Sequence, residues 1–359
     1  MRKTLRAQAP DVYRRYRLRH AAALAFLGAV VVIACVAALW SGSYATPLPE
    51  LLRGIFGAAA DPSVNTVVRS LRLPRICTAL LGGAGLGAAG CVLQSVLRNP
   101  LASASTLGIS QGAGFGAAFA IIVLGAGVQS SGSAAGGLSF TSPMTISVCA
   151  FLCSMAVSLV ILALSRLRSV TPEAMVLSGV ALSSLFSGAS TLLQYFADEV
   201  QLASVVFWTF GDLGRTTWHE VGIMAAVVLA TGVYFFFNRW NYNALEGGEQ
   251  TAVSLGVRVD HLRLANVLLC SLTASVVVSY VGVINFIGLV APHLARRLVG
   301  GNYCVLLPAS ALTGAALLVA GDLAARQILA PVVLPIGAIT SFLGAPLFLY
   351  LLFKGGKRL

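Results

Sequence analysis

Charged residues are scarce in this chain, at 10% of its 359 residues. A soluble domain has about 25% charged residues, so this chain has too few to cover a surface that faces water. Hydrophobic residues make up 57% of the sequence, and the mean hydropathy is +0.87. Uncharged stretches recur at the ~20 residues that a helix needs to cross a bilayer core. The sequence therefore predicts an all-α polytopic membrane protein.

Acidic residues are the scarcest charged group, with twelve in the whole chain. All but one lie in loops or at helix starts, and only Asp322 lies further within a predicted span, near its outer end and one helical turn from Arg326. A proton-driven or ion-driven carrier normally keeps ionisable groups within the membrane, so energy for transport is expected to enter from elsewhere. An intramembrane enzyme is disfavoured too, because no His, Asp, Glu or Ser cluster has catalytic spacing. A secondary transporter and a membrane enzyme remain the rival classes.

Nucleotide-binding motifs are also missing. The P-loop pattern G-x-x-x-x-G-K-[ST] does not occur, so the chain is not expected to bind ATP through a P-loop. The stretch Gly85–Gly90 fits G-x-G-x-x-G, but that fingerprint requires a preceding strand, and here it lies inside a span. Glycines four residues apart let membrane helices approach closely, which predicts helix packing at Gly83 and Gly87 and in the series Gly108, Gly112 and Gly116.

The seven cysteines fall in or beside apolar segments. Cys149 and Cys153 share a helix face and allow a metal or redox pair to be considered. No further ligands accompany them, and a buried free cysteine behaves as a small hydrophobe. No metal site is predicted.

Ten transmembrane helices are predicted. The first is an uncharged run of 20 residues, longer than the ~7–15 residues of a signal-peptide core, and is interpreted as a retained span. The seventh and eighth form one apolar stretch that is too long for a single crossing, so the chain is expected to turn at Gly282. The spans are Ala21–Trp40, Ile76–Leu97, Thr106–Val128, Met144–Leu164, Pro172–Phe196, Val221–Phe237, Leu264–Tyr280, Val283–Leu298, Val305–Leu323 and Leu334–Phe353.

The basic residues predict the orientation. Eighteen of the 24 Lys and Arg fall on the side that holds both termini, and six fall on the other. Cytoplasmic loops carry the Lys and Arg excess, so both termini are expected in the cytoplasm. The net charge of +12 then reflects topology and anionic lipid, with no nucleic-acid partner. Residues 1–20 are expected to form a basic cytoplasmic segment, and residues 21–359 a single permease domain.

Seven sequence blocks together resemble the FecCD/BtuC-type iron-chelate (siderophore), haem and cobalamin permease family of ABC importers. They cover the chain from Leu71 to its C-terminal region and stand in family order. The blocks are LRLPR (Leu71–Arg75), RNPLA (Arg98–Ala102), LSGVAL (Leu177–Leu182), FWTFGDLG (Phe207–Gly214), GEQTAVSLGV (Gly248–Val257), NFIGLVAPHLAR (Asn285–Arg296) and LPIGAITSFLGAPLFLYLLFK (Leu334–Lys354).

The resemblance implies a transport subunit rather than an enzyme. Its partners would be a second permease subunit, expected to be an identical copy, two cytoplasmic ATPase subunits that bind ATP and Mg, and an extracytoplasmic substrate-binding protein. The chain itself would bind no cofactor, and it would lie in a bacterial or archaeal cytoplasmic membrane. A ferric siderophore is the expected cargo, with haem or cobalamin as alternatives.

The resemblance assigns Arg72, Arg75 and Arg326 to docking of the binding protein. In similar importers, arginines at these positions receive glutamates from the two lobes of that protein. Arginine suits this task because its planar guanidinium holds a carboxylate with two hydrogen bonds. The alternative is that these arginines only anchor helices at the lipid headgroups.

The loop at residues 241–262 matches the family's ATPase-coupling segment. The expected coupling residues are Leu245, Glu249, Ala252, Leu255 and Gly256. An ordinary amphipathic loop helix would show the same apolar pattern. The chain departs from the family at 246 and 247, where Glu and Gly replace the more usual Ala and Leu, so the family's contacts are not carried over to the start of this helix.

Asn285, Pro292 and His293 are polar or helix-breaking residues inside an apolar segment. A histidine within a span invites the hypothesis of an iron ligand or a proton relay. A structural role is favoured instead: Pro292 frees a backbone carbonyl one turn back, and His293 is expected to satisfy a neighbouring group. Asn285 must find a partner for its amide in the bundle.

The fifth span is rich in small hydroxyl side chains. Such groups suit a route that must pass a bulky cargo without binding it tightly, although packing by small residues explains the pattern equally well. The candidate pathway residues are Ser178, Ser183, Ser187 and Thr191.

Overall fold

A computed structural model describes residues 2–42, 46–129, 139–140, 142–167 and 171–355. The described chain is almost entirely helical, apart from two paired two-residue strands, β1 (Val128–Gln129) and β2 (Ser139–Phe140). A π-helical segment, Val67–Arg72, joins α3 to α4, and a short 3₁₀ turn, Leu213–Arg215, follows α8. The α-helices are α1 (Arg2–Trp40), α2 (Leu48–Ile55), α3 (Pro62–Thr66), α4 (Leu73–Val96), α5 (Ile109–Ile122), α6 (Pro143–Leu167), α7 (Pro172–Tyr195), α8 (Glu199–Phe210), α9 (Trp218–Phe237), α10 (Arg239–Glu246), α11 (Glu249–Ser254), α12 (Val259–Val281), α13 (Ile287–Val299), α14 (Tyr303–Gln327) and α15 (Ile336–Gly355).

The predicted membrane fold is confirmed. Within the described residues, seven helices are long and apolar enough to cross a bilayer, and shorter apolar helices accompany them. Each of the ten predicted spans coincides with a helix, namely α1, α4, α5, α6, α7, α9, α12, α13, α14 and α15. The predicted turn at Gly282 is the C-cap of α12, where the backbone has φ +88°, a conformation that glycine adopts without a steric cost.

Helix α1 continues without a break through the predicted boundary at residue 20. Its 39 residues correspond to about 58 Å of helix, roughly twice the ~30 Å hydrocarbon thickness. The described arginines of its first half are exposed: Arg14, Arg15, Arg17 and Arg19. The basic segment and the first span therefore form one continuous helix.

The centre of the bundle is built on close approach of α4 and α14. Gly83 and Gly87 of α4 face Gly314 and Ser310 of α14, and a Cβ at either glycine would collide with backbone atoms. The predicted role of these glycines in helix packing is confirmed.

A second glycine contact joins α5 to α6. Gly112 and Gly116 lie against the backbone of Cys153 and Cys149. Both cysteines are free thiols on the side of α6 that packs against α5, which fits their interpretation as small apolar residues.

Helix α8 was not among the predicted elements. Asp198 and Gln201 form a capping box at its start, and the helix ends at Gly211 with φ +74°. The sequence signal was available, because Asp followed three residues later by Gln before an apolar run marks a helix N-terminus. Its 12 residues are too few for a full crossing.

Candidate functional site

An arginine cluster lies where α1, α4 and α14 meet; we call Arg72, Arg75, Asp322 and Arg326 the Asp322 cluster. The side chain of Asp322 is only 2% exposed. One of its carboxylate oxygens accepts from Arg75 Nε at 2.8 Å, and the other accepts from Arg326 Nε at 3.0 Å. A single buried carboxylate therefore holds arginines from two helices that are far apart in sequence.

Two arginines of the cluster, Arg72 and Arg326, bind the end of α1. Arg72 donates to the carbonyl of Leu39 at 2.6 Å, and Arg326 donates to the carbonyls of Ser41 at 2.7 Å and Ala38 at 3.2 Å. The last carbonyls of a helix have no partner within it and carry partial negative charge. The two guanidinium groups supply both the donors and the opposite charge.

The structure thus brings the three predicted docking arginines together. Arg72 is buried, Arg326 is half-buried, and Arg75 also faces Asp212 at 3.5 Å. All three bind groups of this chain, and Arg75 and Arg326 contact a carboxylate. Docking itself stays a prediction, and it requires a partner carboxylate to compete with these contacts.

The second candidate site, α10–α11, has an inner and an outer face. Leu245 and Ala252, two of the predicted coupling residues, are buried and support the loop from within. Leu255 is 68% exposed, and Val253, which belongs to the same apolar pattern of the loop, is 58% exposed. The exposed apolar side chains at the end of α11 are therefore Val253 and Leu255, and Trp240 is exposed at the start of α10.

Of the other two predicted coupling residues, Glu249 binds within this chain, whereas Gly256 shapes the backbone. Glu249 binds Arg263 of α12 at 3.1 Å, and Arg263 also donates to the carbonyl of Val96 at the end of α4. Gly256 has φ +85°, and a Cβ there would meet nothing within 4 Å. Gly256 thus permits the turn into α12, while Glu249 ties α11 to α12 and α4.

Helix α10 is held by a separate polar network. The buried hydroxyl of Tyr242 donates to Asn266 Oδ1 at 2.6 Å, and burial raises the pKa of this phenol. Glu246, at one of the positions that depart from the family pattern, lies 3.3 Å from Arg296 of α13. Neither contact follows from the sequence, because each joins residues at least 24 positions apart.

The segment with Pro292 and His293 has structural contacts of the predicted kind. His293 Nε2 lies 2.9 Å from the carbonyl of Pro100, and its ring packs against Phe348. The carbonyl of Gly288, which Pro292 leaves without its helical donor, lies against Gly90 of α4.

Asn285 has found a partner for its amide as well. Its Nδ2 donates to Ser341 Oγ of α15 at 3.2 Å. Within the described residues, no group of three or more His, Cys, Asp or Glu side chains is placed to hold a metal ion.

The four candidate pathway residues of α7 divide into two pairs. Ser178 and Ser183 are half-buried, and Ser183 lies beside Gly108 at the start of α5. Ser187 and Thr191 are exposed. The hydroxyl groups of Ser178, Ser183 and Thr191 donate to carbonyls one turn back in α7, so the exposed pair forms a small polar strip on an apolar helix.

Comparison with known proteins identifies the family. Residues 30–354 match the model of the FecCD transport family. An ABC transporter permease protein of Methanocaldococcus jannaschii is 48% identical over 352 residues, which cover 97% of this chain and 99% of that protein.

Two further relatives are named for iron-containing cargoes. The hemin transport system permease protein of Yersinia pestis is 33% identical, covering 91% of this chain and 95% of its own. The Fe(3+)-citrate import system permease protein of Bacillus subtilis is 34% identical, covering 96% and 98%.

A solved structure shows the same architecture. A metal-chelate type ABC transporter in an inward-facing conformation superposes with a TM-score of 0.79 at 32% identity, covering 92% of this chain and 98% of that one. A carrier driven by ion gradients and a membrane enzyme are both inconsistent with these matches. The chain belongs to the FecCD transport family and is a multi-pass permease of the ABC importers.

Proposed function

We propose that this permease carries a ferric siderophore across the membrane, in alternation between outward-open and inward-open states that a separate ATPase drives. The observation that carries the proposal is the α10–α11 loop. Its outer face presents Val253 and Leu255, while its inner face is fixed to α4, α12 and α13. Because the loop that carries this small apolar surface is fixed to the bundle, movement of a bound ATPase would be transmitted to the helices. A flexible loop would only tether the ATPase.

The binding protein is proposed to dock at the Asp322 cluster. Three arginines from the π-helical segment, α4 and α14 converge there, and a bidentate carboxylate contact needs guanidinium groups held in a fixed orientation. A docking glutamate would replace either Asp322 or the α1 carbonyls as the partner of an arginine. Charge pairing of this kind mainly steers and orients the partner.

A second copy of the chain is proposed to cover α7. Only 6% of the residues in the most apolar part of α7 are buried within one chain, and its exposed side includes Ser187 and Thr191. Between two copies, this strip would line the route of the cargo, as small hydroxyl groups permit passage without tight binding. If this side of α7 faced lipid, the hydroxyl groups would find no polar partner outside their own helix.

The cargo is proposed from the relatives and from the metal-chelate type of the similar transporter. Haem is the second candidate, because a relative is named for hemin transport. Cobalamin remains a family alternative. A relative from Haemophilus influenzae that is named for molybdate import is 34% identical over 330 residues, so molybdate belongs among the cargoes tested.

The test is uptake into vesicles that contain the permease, its ATPase and its binding protein. We expect ATP-dependent accumulation of a ⁵⁵Fe-labelled siderophore that vanadate abolishes, and none of labelled haem, cobalamin or molybdate. Accumulation of one of those instead would replace the proposed cargo. Failure of the ATPase to associate with the permease would refute the proposed mechanism.

The docking proposal has its own variant and control. Arg72→Glu with Arg75→Glu should abolish uptake while the ATPase still co-purifies with the permease. Arg53→Glu with Arg69→Glu reverses the same number of arginines at exposed positions and should retain uptake. Equal loss in both would mean that the Asp322 cluster is not the docking site.

A further inference from the structure

Four residues join α10 to the turn between α13 and α14; we call Asn243, Glu246, Arg296 and Tyr303 the α10 link. Asn243 makes two contacts with the start of α14. Its Oδ1 accepts from the backbone N–H of Tyr303 at 2.8 Å, and its Nδ2 donates to Asn302 Oδ1 at 3.1 Å. Asn302 is the N-cap of α14, so one side chain of α10 holds both the cap and the first residue of that helix.

Glu246, Arg296 and Tyr303 form a closed triangle beside Asn243. Arg296 donates to Glu246 Oε1 at 3.3 Å and to the hydroxyl of Tyr303 at 3.1 Å. The Tyr303 hydroxyl lies 3.5 Å from Glu246 Oε2. The tyrosine is fully buried, whereas the side chains of Glu246 and Arg296 are 50% and 35% exposed. The triangle therefore connects the surface of α10 to the packed core.

The two helices of the loop are attached to different parts of the bundle. Helix α11 reaches α12 and the end of α4 through Glu249 and Arg263. Helix α10 reaches α13 through Arg296 and α14 through Tyr303. Helix α14 then runs 25 residues, about 38 Å, and carries Asp322 and Arg326 in its last two turns.

We infer that the α10 link is the connection through which movement of the ATPase contact reaches α13 and α14. The inference rests on the proposed role of the α10–α11 loop. Asn243 and Glu246 are positioning residues: neither presents an apolar surface to the ATPase, and both fix α10 to the helices that must move. Helix α14 contains Pro308 one turn after its start, where one helical hydrogen bond is missing, but its axis runs on to Gln327. A displacement of α14 as a body therefore moves Asp322 and Arg326 with it.

The first test measures hydrogen–deuterium exchange in the complex of the permease with its ATPase, with and without ATP and vanadate. In the wild type we expect nucleotide to change exchange in the first turns of α14. The Asn243→Ala, Glu246→Gln double variant should bind the ATPase but lose that change. An unchanged response in the double variant, or no response of α14 in the wild type, would overturn the inference without affecting the proposed function. Failure of the wild-type ATPase to bind would refute the proposed function, and the inference with it.

The second test measures cargo taken up per ATP hydrolysed. The Glu246→Gln variant should lower this ratio about twofold to fivefold, the scale set by a partly exposed ion pair. Glu173→Gln is the matched control: it removes the same charge from an exposed position on α7 and should keep the wild-type ratio.

Exchanging the two charges distinguishes the link from a general effect on folding. Glu246→Arg with Arg296→Glu rebuilds the ion pair and still lets the Tyr303 hydroxyl bond to both side chains. This double variant should recover most of the ratio that Glu246→Arg alone loses. Absence of recovery, with the wild-type thermal midpoint retained, would contradict the proposed link.

Discussion

At the scale of single residues, Asp322 compensates the charge of two of the three clustered arginines. Both of its oxygens are used, by Arg75 and Arg326. We expect Asp322→Asn to destabilise the protein by about 3–5 kcal/mol, because removing one partner of a buried ion pair leaves charge without compensation. The measurement is the thermal unfolding midpoint in detergent.

Asp212 provides the control for Asp322. It faces the same Arg75 at 3.5 Å, but its side chain is 43% exposed. Asp212→Asn should therefore cost less than about 1 kcal/mol. Raising the salt concentration should weaken the Asp212 effect and leave the Asp322 effect largely intact, because buried pairs are poorly screened. Similar losses in both variants would show that Asp322 is not the organising carboxylate.

The residue types at the candidate sites could be predicted, but their partners could not. The sequence placed Asp322 one turn from Arg326, and a contact within one helix follows from that spacing. The contact of Asp322 with Arg75 joins positions 247 apart and depends on how α4 packs on α14. Likewise, a loop pattern cannot show that Leu245 and Ala252 face inward and that Val253 and Leu255 face outward.

At the scale of helices, the crossing of α4 and α13 depends on Gly90. Any Cβ at this position would overlap the carbonyl of Gly288, which Pro292 leaves without a helical donor. We expect Gly90→Ala to destabilise the protein by about 1–3 kcal/mol through overpacking. The drop should appear as a lower thermal unfolding midpoint.

Gly232 of α9 is the matched position, since a Cβ there would meet nothing within 4 Å. Gly232→Ala should stabilise its helix by up to about 1 kcal/mol, the ordinary difference between glycine and alanine. Should both substitutions stabilise the protein, close approach at Gly90 would not be required.

Helix positions were accessible from the sequence because uncharged length alone identifies a span. The glycine spacings also indicated close packing. They did not indicate which helix lies opposite, and α8 was missed because its 12 residues give a weak apolar signal. The cap of a short helix can be predicted from local sequence, but its neighbours are set by tertiary contacts that local pattern does not encode.

At the scale of the whole molecule, one chain leaves α7 largely uncovered, and the proposed second copy accounts for that surface. We expect Ser187→Cys, introduced into a protein whose seven native cysteines are replaced, to form dimers with a short bis-maleimide. Leu229 of α9 is 63% exposed and lies on a helix that is not proposed to face the partner. Leu229→Cys is the control and should remain monomeric on a denaturing gel.

The cross-link also separates the two explanations of the hydroxyl groups on α7. If Ser187 lines a route between two copies, its cysteine variant should react faster with a water-soluble maleimide than Leu229→Cys does, since a route for a polar chelate must admit water. Bulky modification at that position should then block uptake. Dimer formation at Leu229 as readily as at Ser187, with equal labelling rates, would mean that α7 faces lipid and that its serines serve only to pack or to bond their own helix. The route would then have to be sought along another helix.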